Sequence, residues 1–193
     1  MTEPPAERPR VTISDPQVMR ALAHPARLAI TEHLSSIEAG ATATECAEIV
    51  GLSPSATSYH LRELAKAGLV EQAPNRGDAR ERVWRVVSPS WTVDAGRGTA
   101  PEARAAERAL VEAWLARDLE RSRDWLRRAP DEPAEWYEAS RLADSRLLLT
   151  AAELSELNEA VDRLFEPYRK RSRVDPPAGA RTVSVHYKAL PVD

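Results

Sequence analysis

The sequence has little of several residue types, and each shortage excludes a class of protein. Its 193 residues include one cysteine, one phenylalanine and seven glycines. A single cysteine cannot form an internal disulfide, which favours a reducing compartment such as the cytoplasm. No run of apolar residues reaches the roughly 18 that a membrane-spanning helix needs. The motifs GxSxG, HExxH and GxxxxGK[ST] do not occur, so we expect neither an enzyme nor a bound cofactor.

The first residues, MTEPPAERPR, are polar and rich in proline. They lack the apolar stretch of a signal peptide, so residues 1–13 are expected to form a disordered arm. Cys46, the one cysteine, has acidic neighbours in Glu45 and Glu48. An acidic setting disfavours a reactive thiolate, so we interpret Cys46 as a small apolar residue packed in a helix.

The most informative segment is Ser53–Val70, which has the pattern of a capped helix followed by a strand. Ser53 is a favourable N-cap, and Pro54 suits the first helical position. Gly68 can adopt the left-handed conformation that ends a helix. One side carries Thr57, Leu61 and Leu64, and the outward side carries Ser55, Ala56, Tyr59 and Arg62. A short helix with a small, polar outer face has the dimensions that a DNA major groove admits.

The flanking segments complete a recognisable order of elements. Upstream, His24-Pro25 breaks an apolar helical pattern into two helices, and Thr42 with Glu45 forms a capping box that opens a third. Gly51-Leu52 leaves only a short turn before the Ser53 helix, the spacing of a helix-turn-helix pair. Downstream, two strand-like runs flank a turn rich in Pro, Asn and Gly, so the 71–84 hairpin is predicted to be a wing. The fold class is mainly α (α+β), with a winged helix-turn-helix over residues 14–88.

Three segments, ALAHPARLAI, GLSPSATSYHLRELAKAGLV and the hairpin, resemble those of ArsR-type bacterial winged-helix transcription regulators. The resemblance covers residues 14–87 and implies a homodimer that binds a palindromic operator in double-stranded DNA and usually represses. It places base- or phosphate-contacting positions on the Ser53–Ala67 helix and on the wing. His60 falls where members of the family carry a histidine, and its role is partly structural. The implied DNA-binding residues are Ser53, Pro54, Ser55, Ala56, Ser58, Tyr59, His60, Arg62, Arg76, Arg80 and Arg82.

The sequence departs from the metal-sensing branch of this family. The cysteines of that branch are replaced by Thr42, Thr44 and Ala47, and Cys46 lies between those positions. A site for a soft metal needs two or more converging thiolates or imidazoles. The stretch 102–129 contains no histidine that could form the family's other metal site. No metal is therefore expected.

Charge gives only modest support to DNA binding. The chain has a formal net charge of −3. Residues 53–87 hold six basic side chains against four acidic ones, and this local charge is what attracts the phosphate backbone. We therefore expect moderate, salt-sensitive affinity, with much of the specificity from the Ser53 helix.

The second half of the chain is predicted to be a linker, residues 89–101, followed by a helical region, residues 102–193. A long amphipathic helix over Glu102–Ala129 has an apolar stripe that needs a partner, and a second subunit is the leading candidate. Thr150 and Glu153 form another capping box, which predicts a helix from about Ala151 to Arg171. The runs Ser145–Leu149 and Thr182–Leu190 are predicted to pair as strands on either side of it.

Two questions stay open at this stage. The aromatic residues Trp114, Trp125, Trp136 and Tyr137 either form packed core or line a pocket for a small apolar or aromatic effector. The winged helix either binds DNA or serves as a protein–protein interaction module without DNA binding. A regulator without any ligand is equally compatible with the sequence.

Overall fold

The computed structural model describes residues 11–37, 39–74, 82–88, 91–169 and 175–192. The chain divides into two compact units, Met1–Arg117 and Asp118–Asp193. The predicted fold class is confirmed, because the chain is mainly helical with two small sheets. None of the helices in the described ranges is long and apolar enough to span a membrane.

The secondary-structure elements follow the predicted order. The first unit holds β1 (Val11–Ile13), α1 (Pro16–Leu22), α2 (Pro25–Ser35), β2 (Ala41–Thr42), α3 (Ala43–Val50), α4 (Pro54–Lys66), β3 (Val70–Gln72), β4 (Val83–Val86) and β5 (Trp91–Val93). Helix α5 (Pro101–Arg128) begins in the first unit and ends in the second. The second unit continues with a 3₁₀ turn (Ala129–Asp131), α6 (Ala134–Ala139), α7 (Ala151–Phe165) and a 3₁₀ turn (Glu166–Tyr168).

The wing is a small antiparallel sheet with strand order β2-β4-β3. Val70 pairs with Val86 and Gln72 with Trp84, which confirms the predicted hairpin at the base of the wing. Strand β2 was not predicted, since it is only two residues long. Gly40 precedes it at φ +70°, and a Cβ at this position would collide with the carbonyl oxygen of Trp84. The close approach of this backbone to β4 therefore requires glycine.

Two stretches expected to be unstructured contribute to a second sheet. β1 and β5 pair in parallel, with Val11 opposite Trp91 and Ile13 opposite Val93. Residues 11–13, expected in the disordered arm, and residues 91–93, expected in the linker, are thus in part β-structure. Local composition missed this pairing because the two strands lie about eighty positions apart.

The core of the first unit is formed by side chains from helices α1 to α4, strands β1 to β4 and the first turns of α5. Its wholly buried large members include Met19, Leu22, Leu28, Ile30, Leu34, Leu61, Leu64 and Leu110. Cys46 is buried beside them, as predicted. Burial raises the pKa of the Cys46 thiol to about 11, and the carboxylate of Glu45 adds to the rise. The thiol is therefore protonated at neutral pH and unreactive.

The second unit is packed very differently. Among its described residues only Ala129 is buried. The Thr150–Glu153 capping box of α7 is confirmed, with Thr150 N donating to Glu153 Oε2 over 2.7 Å. The helix ends at Phe165, earlier than the predicted Arg171, and a 3₁₀ turn follows.

The predicted strands on either side of α7 are wrong for the described chain. Residues 145–149 and 182–190 are not β-strands, and Leu148 is fully exposed. Alternating apolar residues form a strand only where another strand supplies hydrogen bonds, and neither segment has one here. Ion pairs hold the C-terminal segment instead. Arg181 binds Glu132 over 2.6 Å, and Lys188 binds Asp118 over 2.8 Å.

Candidate nucleic-acid interface

Helices α3 and α4 form the helix-turn-helix pair. The predicted capping box opens α3, because Thr42 N donates to Glu45 Oε2 over 2.6 Å and Glu45 N donates to Thr42 Oγ1 over 3.2 Å. Gly51 ends α3 at φ +65°, a left-handed conformation that costs glycine little. The hydroxyl of Ser53 then accepts from Ala56 N over 3.2 Å and caps α4. The turn between the helices is therefore three residues long.

Helix α4 separates its apolar residues from its polar ones. Thr57, Leu61 and Leu64 are wholly buried and fix the helix to the core. The opposite side is open to solvent, as predicted. Its exposed members are Ser53, Pro54, Ser55, Tyr59 and Arg62, and Ala56, Ser58 and His60 are half-buried.

The charged groups of α4 differ in their availability. Lys66 binds Glu63 over 2.6 Å. This hydrogen bond is the main reason that the pKa of the Glu63 carboxyl lies below its ordinary value. Arg62 is exposed and forms no ion pair within the described ranges. Its guanidinium is therefore free to bind an external group.

The wing carries the remaining candidate arginines. Arg82 is exposed immediately before β4. Arg76 and Arg80 lie outside the described residues. Arg85, on β4, binds Glu71 on β3 over 2.7 Å, so one basic residue of the hairpin is already neutralised across the strands.

His60 is half-buried, and its ring contacts two other aromatic rings. Its ring centroid lies 4.7 Å from that of His24, at an interplanar angle of 44°, and 5.5 Å from the ring of Tyr59. Its Nδ1 is buried and has no hydrogen-bond partner in the described chain. Burial lowers the pKa of His60, and the neighbouring His24 and Arg27 lower it further.

His24 itself was not predicted as a functional residue. It precedes Pro25, where its Nδ1 accepts from Ala26 N over 3.2 Å and caps α2. Burial lowers the pKa of this imidazole as well, and Arg27 adds to the lowering. Sequence spacing could not reveal the contact, because His24 caps α2 and His60 lies on α4, two elements apart in the chain.

The four aromatic residues proposed for an effector pocket each have their own surroundings. Trp114 stacks on Trp91 with ring centroids 5.0 Å apart. Arg128 lies over the Trp125 ring at 5.3 Å, and Arg181 lies over Trp136 at 4.7 Å. Tyr137 is 57% exposed. The effector pocket stays a prediction.

An open groove of about 350 Å³ follows the exposed side of α5 instead. Its lining residues are Pro101, Arg104, Ala105, Arg108, Ala109 and Glu112. None of the four aromatic residues is among them.

A comparison with known protein families agrees with part of this architecture. Residues 22–73 match a family described as a helix-turn-helix domain, which confirms the predicted α3–α4 motif. No curated protein is significantly similar to the chain.

Several solved structures resemble the chain. A homodimeric winged helix-turn-helix DNA-binding domain from Mycobacterium bovis, a possible ArsR-family regulator, is 27% identical; the match covers 54% of this chain and 81% of that one, with a TM-score of 0.33. A MarR-family protein of Mycobacterium tuberculosis, solved with salicylic acid, is 18% identical over 78% and 87% of the two chains, with a TM-score of 0.29. The PcaV regulator of Streptomyces coelicolor, solved with its natural ligand, is 18% identical over 81% and 77%, with a TM-score of 0.26.

Proposed function

We propose that this chain, which carries a helix-turn-helix domain at residues 22–73, is a cytoplasmic DNA-binding transcriptional regulator of the ArsR type. It binds a palindromic operator as a homodimer and acts as a repressor, without a metal or other cofactor. Helix α4 is the recognition helix and the 71–84 hairpin is the wing. The observation that carries the proposal is the exposed, small and polar side of α4, whose opposite side is anchored in the core.

The chemistry of α4 suits base recognition. The major groove is wide enough to admit an α-helix, and the small residues Ser55 and Ala56 let the start of α4 approach the bases closely. Arg62 has the planar guanidinium that binds the O6 and N7 atoms of guanine in a bidentate manner, and it has no ion-pair partner in the described chain. Pro54 has no amide hydrogen and Ala56 N donates to the Ser53 hydroxyl, so the Ser55 amide is the one at the start of α4 that suits a contact to phosphate.

The wing is suited to backbone contacts. Arg82, together with Arg76 and Arg80 of the predicted wing, supplies the positive charge for such contacts. Phosphate contacts of this kind position a protein on the duplex but do not select a sequence. The net positive charge of residues 53–87 is small, so base contacts from α4 provide most of the specificity.

The homodimer is supported by apolar surface that a single chain leaves uncovered. On α5, Val111, Leu115 and Leu119 are 37–49% exposed along a 28-residue helix. A helix with an apolar stripe is stable only when that stripe is covered. The α5 groove also carries opposite charges four residues apart, on Arg108 and Glu112. Two α5 helices packed antiparallel around a two-fold axis would bring each arginine next to the partner's glutamate.

Fluorescence anisotropy with labelled duplexes tests the proposal. One duplex comes from the region upstream of the chain's own gene and the other has the same composition in scrambled order. Arg62→Ala should weaken binding to the first duplex by about 1–3 kcal/mol, or roughly 5- to 150-fold, because a bidentate base contact is lost. Binding to the scrambled duplex should change much less.

The matched control is Arg141→Ala, which removes an exposed arginine that lies outside α4, α5 and the wing and should leave both affinities unchanged. Binding of the unaltered protein should also weaken steeply as salt rises. An equal loss on both duplexes would reject base recognition by Arg62. Absence of binding to either duplex would favour a protein–protein interaction module.

A further inference from the structure

We propose that His24 and His60 form a neutral contact that positions recognition helix α4 against α2, and that mild acid breaks this contact and releases DNA. The effect on DNA rests on the function proposed above. The contact itself is a property of the free protein and is testable without DNA.

The first half of the contact is the cap of α2. His24 Nδ1 accepts a hydrogen bond from Ala26 N, so this nitrogen carries a lone pair and no proton. Protonation of Nδ1 would convert the acceptor into a donor that faces the Ala26 amide. The neutral form of His24 is therefore required for the α2 cap, because the amides at a helix start have no partner inside the helix.

The second half of the contact comes from α4. The His60 ring lies 4.7 Å from the His24 ring, and its buried Nδ1 meets no acceptor within the described ranges. A neutral imidazole can leave this nitrogen without a hydrogen, whereas a charged one must bury an unpaired N–H. Because His60 lies one turn after Ala56, the contact acts directly on the part of α4 that faces DNA.

The surrounding charges oppose protonation. The charged group that acts on both imidazoles is Arg27 of α2, whose Nε is also buried without a partner in the described chain. The carboxylate of Glu63 lies one turn beyond His60, but Lys66 binds it. Helices α1 and α3 and strands β3 and β4 also pack on α2 or α4, and in the described chain none of them supplies a charge that shifts either histidine.

These surroundings set the direction of the pH dependence. Burial, the neighbouring ring and Arg27 keep the pKa of His60 below its ordinary value of about 6.5. Burial and Arg27 also lower the pKa of His24, and they outweigh a hydrogen bond to its own backbone that raises it. The folded arrangement thus binds fewer protons than free imidazoles would, and it loses stability as pH falls through and below 6.5. Added positive charge alone would strengthen attraction to phosphate in acid. If the histidine pair positions α4, acid should instead weaken DNA binding. The direction of the change in affinity with pH therefore distinguishes the two explanations.

The contact is measured first in free protein, by NMR titration of the histidine ring protons. Both His24 and His60 should titrate below about 6.5, as coupled groups. In the His24→Asn variant, asparagine still caps α2, and the pKa of His60 should rise because the neighbouring imidazole is gone. His186→Gln, which alters a histidine of the second unit, should leave both values unchanged. Independent titration at the ordinary pKa would overturn the proposal.

The consequence for DNA is measured by anisotropy between pH 8 and pH 5.5 at constant ionic strength. The unaltered protein should bind DNA more weakly in acid. For each proton that must leave a histidine before DNA binds, the dissociation constant should rise by up to about tenfold per pH unit. His24→Asn, compared with its own affinity at pH 8, should show a shallower decline, and His186→Gln should follow the unaltered protein. Affinity that rises or stays flat in acid, or an equal slope in His24→Asn, would overturn the proposal. Absence of binding at every pH would instead reject the proposed function, and the NMR titration would still decide whether the pair is coupled.

Discussion

The two compact units differ in how far their apolar side chains are buried. In the first unit, Leu22, Leu34 and Leu64 are wholly buried in one core. In the second, Leu148 is fully exposed and Leu164 is 67% exposed, although both belong to segments with regular apolar patterns. The first unit therefore has the contacts that make a domain stable by itself, whereas the second exposes apolar side chains of the kind that interaction surfaces carry.

Local helix signals do not explain this difference. Helix α3 in the first unit and α7 in the second begin with the same Thr-x-x-Glu capping box, and both boxes form. A capping box determines where a helix begins, but it does not determine what the helix packs against. The same local sequence signal therefore starts a helix in both units, whereas burial of that helix depends on the residues around it.

The largest expected effect is on the core of the first unit. Leu61→Ala should lower the free energy of unfolding by about 2–5 kcal/mol, because it removes a wholly buried side chain and leaves a cavity. Urea unfolding followed by circular dichroism measures this change. Val87→Ala, at a position 46% exposed, should stay within about 0.5 kcal/mol. Similar losses for the two variants would remove the contrast between core and surface.

A smaller effect is expected at the uncovered surface of the second unit. Leu164→Glu should raise the dissociation constant of the homodimer at least about tenfold, or about 1.4 kcal/mol, because a second copy would bury the new carboxylate. Sedimentation velocity over a concentration series measures it. Ser155→Glu adds the same charge on the other side of α7 and should leave the constant unchanged. Equal effects of both variants would show that charge, and not the apolar stripe, controls association.

The smallest effect concerns the start of the recognition helix. Ser53→Ala should lower the free energy of unfolding by about 1 kcal/mol, because the hydroxyl that accepts from Ala56 N is lost. Ser53→Asp keeps an acceptor and should remain close to the unaltered protein. Thermal unfolding of the three proteins measures the difference. A loss for Ser53→Asp as large as that for Ser53→Ala would contradict the capping role.

Sequence patterns predicted the first unit better than the second. Caps such as Ser53 and turns such as Gly51 are local, so the order of helices and the base of the wing were correct. The β1–β5 pair and the contact between His24 and His60 were missed, because each joins distant parts of the chain. The alternation over Thr182–Leu190 predicted a strand, yet a strand also needs a neighbour, and a sequence pattern does not supply one. The DNA contacts of all the candidate residues stay predictions, and Arg76 and Arg80 also lie outside the described residues.

The mass of the protein–DNA complex tests the central claim most directly. Sedimentation of the full chain with a duplex that holds one palindromic site should give two chains per duplex, with half-sites about one turn of B-form DNA apart. Insertion of about five base pairs between the half-sites should abolish this complex, because it places them on opposite sides of the duplex. A complex with one chain per duplex, or one that tolerates the insertion, would contradict the account.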